Sequence, residues 1–283
     1  MRTVHNGTTS HYPFIEKSRH TVRMNMKLYF KFFLLSLKGR MQYKVSFFMT
    51  MLGNFVIAFS SFAAVFFLMS KFNTVKGFSV NEVFLCYGIV SCSFYFSECF
   101  FRGFESFSGI VSSGRFDRIL LFPKSEIFMT LCNDIEIFRI ARLFQGVLVL
   151  ILSLISSNIE WTGPKVVTLF LMLLSGIVLY SAFFLLEAGI CFFTIGRPEA
   201  LNIFTYGTRE FGVYPMGIFG KEVLSIFTFV FPIALIQYYP LLYITEKSNN
   251  ILFCFLPLCA CLMLIPSILI WKAGIRHYTS TGS

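Results

Sequence analysis

Six stretches of this chain, residues 47–69, 83–101, 143–159, 166–186, 223–244 and 251–271, are almost wholly apolar, and Glu98 is the only charged residue among them. A run of about 20 apolar residues is what a helix needs to cross the hydrocarbon of a bilayer. Inside that hydrocarbon every backbone N–H and C=O needs an internal partner, so only helices and closed barrels cross it. Barrel strands alternate apolar and polar residues over about ten positions. These runs are continuous and twice that length, so they predict helices. Composition agrees: 56% of the residues are hydrophobic, 13% are charged and the mean hydropathy is +0.72, against about 25% charged in soluble domains. The fold expected is all-α and polytopic, with six spans in a single membrane domain over residues 21–283. Residues 1–20 read as an N-terminal tail outside that domain. The third run is the shortest, and the fourth extends past Glu187 to about Ile195 if helix continues there. No cleavable signal is expected in the polar, basic first 44 residues.

Basic side chains face the cytoplasm in membrane proteins. Of the 24 Lys and Arg residues, nine precede the first run, six lie between the second and third, three between the fourth and fifth, and two follow the sixth. The other four, Lys71, Lys76, Lys165 and Lys247, fall in the alternate loops. This asymmetry predicts cytoplasmic N- and C-termini in a multi-pass plasma-membrane protein. It also accounts for the net charge of +10 through topology and anionic inner-leaflet lipid, so no nucleic-acid partner is implied.

Between the runs, residues 21–44 place Arg23, Lys27, Lys31 and Lys38 within an arc of about 80° at helical spacing. Leu28, Phe32 and Leu35 occupy other faces, so the segment reads as an interfacial helix on the bilayer surface. Residues 102–142 form a long inner loop. Pro123 disfavours helix at Phe122 and ends one short helix. Ser125 can cap the next, with Glu126 near its positive end. Charges interleaved with Phe116, Ile119 and Leu120 fit a docking surface, and they equally fit a simple loop.

Glu98 and Glu187 are acids within or against the runs. An intramembrane carboxylate is costly and marks a functional candidate. Glu98 has Arg102 at i,i+4 for a local ion pair, whereas Glu187 has no basic neighbour in sequence and is a candidate for a pathway or gating role. Pro232 interrupts the fifth run and is a candidate kink. The segment before that run, with Gly212, Pro215, Gly217 and Gly220, reads as an irregular inner hinge. The eight cysteines and four histidines form no metal-ligand spacing. No phosphate loop or hydrolase motif is present, so no enzyme activity and no bound cofactor are expected of this chain.

Residues 111–125, VSSGRFDRILLFPKS, resemble the segment after the second span of ABC-2 type transporter permeases, in the branch without a fused ATPase. Gly114, Asp117 and Pro123 match its pattern by position. Residues 229–240, FVFPIALIQYYP, resemble that branch's fifth span, and the ending WKAGIRHYTSTGS resembles its basic tail. The resemblance covers the chain from about Thr21. It implies a type V exporter-like fold in which residues 114–123 carry a coupling helix. Gly114, Arg115, Phe116, Asp117, Arg118 and Pro123 would meet a separate nucleotide-binding ATPase, with Arg115 and Arg118 as rim charges. ATP and Mg²⁺ would bind that partner, and a second permease, the same chain or a paralogue, would complete the pathway. The substrate class implied is amphiphilic: peptide, lipid, glycan or drug, moved outward. Two other readings are an ATP-independent secondary transporter or channel, which predicts midplane polar groups and an internal repeat, and a membrane-embedded enzyme, which predicts clustered His, Asp or Glu.

Overall fold

The computed structural model describes residues 26–71, 74–157, 159–194 and 199–279. The expected tail and Arg23 lie outside them. The chain enters on α1 (Met26–Arg40) and turns into the long helix α2 (Lys44–Ser70). A two-residue hairpin, β1 (Thr74–Val75) and β2 (Phe78–Ser79), leads into α3 (Val80–Phe100). The start of α3 is fixed by a capping box. The Ser79 hydroxyl accepts from the Glu82 amide, and the Glu82 carboxylate accepts from the Ser79 amide at 2.7 Å, so two orphan donors of the first turn are satisfied.

Three short helices follow, α4 (Phe107–Ser112), α5 (Arg115–Leu120) and α6 (Glu126–Asn133), before α7 (Ile140–Ser156) and α8 (Gly163–Ile190) return through the bundle. Ser125 caps α6 as expected, accepting from the Phe128 amide at 3.2 Å. Then come α9 (Tyr206–Gly212), α10 (Lys221–Phe229), α11 (Ala234–Ile244), α12 (Leu256–Ala260) and α13 (Leu264–His277). Five helical stretches are long and apolar enough to cross a membrane: α2, α3, α7 with its leading turn, α8, and α12 with α13. The fourth stops at Ile190 and does not reach Ile195.

The buried centre is α3, packed between α7 and α8, while α2 lies on the outside and leaves most of its length exposed. Without water to drive helices together, close backbone approach at small residues does the work. A Cβ on Gly88 would lie 2.7 Å from the Leu150 Cα, and one on Gly176 would lie 2.4 Å from the Ser93 hydroxyl. The Ser93 and Ser97 hydroxyls then donate to the Leu173 and Ile177 carbonyls of α8 at 3.2 and 3.0 Å.

The fifth run corrects the expectation. Residues 223–244 are not one kinked span but two helices, α10 and α11, bent by 117° at the break that holds Pro232. Both ends of this pair lie at the end of the bundle that carries the β-hairpin. Just before it, the Ile218 carbonyl accepts from Lys76 at 2.7 Å; just after it, Lys247 donates to the Gly77 carbonyl and pairs with Glu82. The pair therefore enters and leaves at one end, as a re-entrant hairpin does.

The length of the bundle is instead covered by residues 199–219, which the sequence reading left as an inner hinge. Their contacts climb α3 in order. Tyr206 meets Glu98, Arg209 meets Tyr95, Gly212 abuts Val90, and Gln237 links the Tyr214 carbonyl to Cys86. Gly217 allows Tyr238 of the hairpin to approach, since a Cβ there would lie 2.5 Å from its hydroxyl. Gly220, at φ +99°, turns the chain into α10 in a conformation that favours glycine. With this irregular segment the described residues run the length of the bundle six times, and the two described chain ends lie at the same end of it.

Gly88→Ala is expected to destabilise the bundle by about 1–3 kcal/mol through overpacking on Leu150. Gly53→Ala, where a Cβ meets nothing within 4 Å, is expected to be neutral or stabilising. Thermal unfolding of both in mild detergent checks the contrast; equal melting temperatures would refute the α3–α7 packing described.

Candidate functional site

At the end of the bundle where the described residues begin and end, α4 and α5 form a short, bent loop structure. Gly114, at φ +67°, makes the bend between them, a left-handed conformation that costs glycine least. The first residue pairs of α5 then fall into place by helical spacing. Phe116 and Ile119 point inward and are buried, while Arg115, Arg118, Pro123 and Lys124 are exposed. Phe116 is fully enclosed by aromatic rings: Phe107 at 5.2 Å, Phe192 at 5.2 Å, Tyr278 at 5.0 Å and Trp271 at 6.5 Å. These rings come from α4, the end of α8 and α13, so α5 is bolted to two crossings.

The sequence reading left two alternatives for Phe116, Ile119 and Leu120, a docking surface and a simple loop, and in the structure the first two face inward. Phe116 and Ile119 are satisfied inside the chain because the loop folds back on α13. The large apolar side chains of this segment that stay exposed are Leu120, Leu121, which is 75% exposed, and Phe122. Asp117, which matches the family pattern by position, is half-buried. It faces the Tyr278 hydroxyl, and burial together with that carboxylate pushes the tyrosine up to about 12.

Beside this loop lies a charge network centred on Glu98, whose carboxylate is completely buried. Arg139 reaches it at 2.5 Å, Arg142 at 3.6 Å and Arg102 at 4.0 Å, and the Tyr206 hydroxyl donates to it at 3.0 Å. The expected i,i+4 partner, Arg102, is thus the most distant of the three. Arg102 turns instead toward Glu105 at 3.3 Å and Glu136 at 3.4 Å. Arg40, from α1, reaches Glu136 at 3.2 Å and Asp134 at 3.7 Å. Four carboxylates and four guanidiniums take part, so the cluster is neutral overall. A buried charge without a partner is untenable, and this balance lets so many ionic groups sit at the edge of an apolar bundle.

Glu187 is also buried, and accepts from the Thr205 hydroxyl at 2.8 Å. It joins α8 to the start of the 199–219 crossing and lies inside the bundle. Pro232 lies half-buried at the bend of the hairpin. On α1, Lys27, Lys31 and Lys38 are exposed beside Phe30, Leu34 and Leu35, while Tyr29 faces inward and donates to the Phe100 carbonyl at 2.8 Å. At the opposite end, a polar cavity of 360 Å³ opens between Glu82, Lys165 and Glu246, with Lys165 paired to Glu246 at 2.5 Å.

Two charged residues that the sequence reading did not single out, Arg209 and Glu210, sit within the bundle on α9. Arg209 donates to the Tyr95 hydroxyl at 2.7 Å and pairs with Glu210. The overlooked signal was the company they keep. Phe204, Tyr206, Phe211, Val213, Tyr214, Met216, Ile218 and Phe219 make this segment far more apolar than a solvated loop.

A family model described as "ABC-2 family transporter protein" matches residues 55–282. The chain belongs to that family. No curated protein and no solved structure matches it.

Glu98→Gln leaves three guanidiniums around a neutral amide and is expected to cost about 3–5 kcal/mol. The check is the melting temperature in mild detergent; an unchanged value would mean that the ion pairs do not hold this end together.

Proposed function

We propose that this ABC-2 family chain is the permease subunit of an exporter driven by a separate nucleotide-binding ATPase, and that α5 and the turn after it are the docking element. The single observation that carries this reading is the two-sided character of α5. Its inner face is locked into the aromatic cluster of α8 and α13. Its outer end presents Leu120, Leu121 and Phe122, ringed by Arg115, Arg118 and Lys124. Apolar residues inside a charged rim make a protein-docking patch, in which the charges set register. A push on α5 then reaches two crossings through packed rings rather than through a flexible loop.

Charge supports a cytoplasmic placement of this end. With Lys221 at the far end and Arg209 inside the bundle, thirteen Lys and Arg residues among the described residues belong to the α5 end and five to the other. ATP and Mg²⁺ would be held by the ATPase, where this chain supplies no phosphate loop. A second permease, the same chain or a paralogue, would pair with it, and the substrate would be an amphiphile moved outward across the plasma membrane. The exposed basic stripe of α1 fits anionic lipid on the same side.

The test is co-purification of tagged protein in mild detergent, with mass spectrometry of what it retains. Wild type is expected to carry a soluble ATPase. Arg118→Glu and Leu121→Asp, both on exposed positions, are expected to lose it while eluting as the folded chain does. An ATPase retained in full by both variants would refute this docking surface, and its repeated absence from wild type would refute the transporter reading.

A further inference from the structure

Arg209 and Glu210 lie within the length of an apolar bundle, where charge is expensive. Tyr95, which holds Arg209, is five residues inside the end of α3, about 7 Å along the helix axis. Val90, which abuts Gly212, is ten residues inside, about 15 Å. Glu210 therefore sits between these levels, among helices otherwise covered by apolar side chains.

The two charges are not treated alike. Arg209 is enclosed. Its guanidinium lies 5.2 Å from the centre of the Tyr95 ring and 5.9 Å from that of Phe94, and donates to the hydroxyls of Tyr95 and of Ser61, on α2, at 2.7 and 3.3 Å. Its Nε is buried without a partner. The Glu210 side chain is 62% exposed. The pair is thus a fixed dipole with its negative end on the open side. Lipid is no neighbour for an exposed carboxylate, since an acid at the centre of a spanning helix costs about 2.5–3.5 kcal/mol on insertion scales.

The surface beside it is polar as well. On α2, Thr50, Asn54 and Ser61 fall within an arc of about 40° at helical spacing. Asn54 accepts from Arg142 at 2.9 Å, and Ser61 accepts from Arg209. Polar side chains on this exposed face of α2 thus touch both the charge network at the α5 end and the Arg209–Glu210 pair, with the exposed Ile57 between them.

From these observations we infer that Glu210 is a specificity-determining residue on the wall of the transport pathway, and that it takes the cationic group of an amphiphilic substrate. This rests on the permease reading and narrows its substrate class to lipophilic cations. An anionic amphiphile would meet the negative end of the dipole and be rejected; Arg209, held by rings and hydroxyls behind Glu210, is not available to compensate.

The test uses the full-length chain in lipid nanodiscs and two probes of matched shape and opposite charge, tetraphenylphosphonium and tetraphenylborate, with empty nanodiscs subtracted. Wild type is expected to bind the cation in preference. Glu210→Gln, which keeps the shape, is expected to weaken cation binding by about tenfold, the effect of losing one charge-assisted contact. Glu210→Asp is expected to retain most of the preference, and Glu210→Lys to reverse it. Equal binding of the two ions by wild type, or a preference that survives Glu210→Gln, would overturn the assignment. ATPase co-purification, followed on the same preparations, reports on the permease reading separately. An ATPase present with no charge preference sinks only the Glu210 site, and an ATPase never present sinks the transporter.

Discussion

A carboxylate with no solvent exposure sits at the end of the most buried helix of the bundle, and three arginines from elsewhere in the chain converge on it. Arg139 and Arg142 reach Glu98 from the start of α7, and Arg102 from the turn after α3. Arg102 in turn pairs with Glu105 and Glu136, and Glu136 draws in Arg40 at the end of α1, which also meets Asp134. The result fixes the relative placement of α1, α3 and α7 at one end of the molecule. Tyr206 attaches the irregular crossing to the same point through its hydrogen bond to Glu98. Replacing such a cluster by apolar residues can be neutral for stability; what the charges add is a single register among helices whose apolar surfaces would otherwise slide.

Next to this ionic anchor is an apolar one. Phe116 of α5 is held by rings from α4, the end of α8 and α13, and aromatic pairs at these distances contribute beyond their buried area. The charge network includes the turn from α3 into α4, next to α5. Packed rings join α5 to α13 and the end of α8. The network is joined to the 199–219 segment, which bears Arg209 and Glu210, through Tyr206. The irregularity of that crossing, with helix broken at Gly212, Pro215 and Gly220, is tolerated because α3, α8 and the hairpin α10–α11 cover its backbone, as non-helical backbone in a membrane requires.

Much of this was legible in the sequence, and the failures have physical reasons. Continuous apolar runs located α2, α3, α7, α8 and the last crossing, because a long uncharged helix in hydrocarbon leaves little else to choose. The same rule misled at 223–244. Apolarity reports burial in hydrocarbon and not whether the chain goes through, and only the break at Pro232 hinted at a return. The true crossing was hidden by one Arg–Glu pair and several glycines, which read as a loop until Tyr95 and Ser61 are seen to receive the arginine. In α5, the short helix and its end before Pro123 were legible, but six residues of helix define a buried face poorly. Phe116 and Leu121 look alike in sequence, and only the rings of Phe192, Trp271 and Tyr278 separate them. The i,i+4 partner of Glu98 was legible; Arg139 and Arg142, more than forty residues away, were not.

The path of residues 199–244 is the claim on which the rest turns, and cysteine accessibility tests it most directly. In a background lacking the eight native cysteines, single cysteines at Lys221, Glu246 and Lys124 would be treated in intact cells with a membrane-impermeant maleimide. The account predicts that Lys221→Cys and Glu246→Cys are labelled from outside, and Lys124→Cys only after permeabilisation. A Lys221→Cys protected until the membrane is opened would place that residue with Lys124, make 223–244 a simple span, and contradict the irregular crossing together with the pathway role of Glu210.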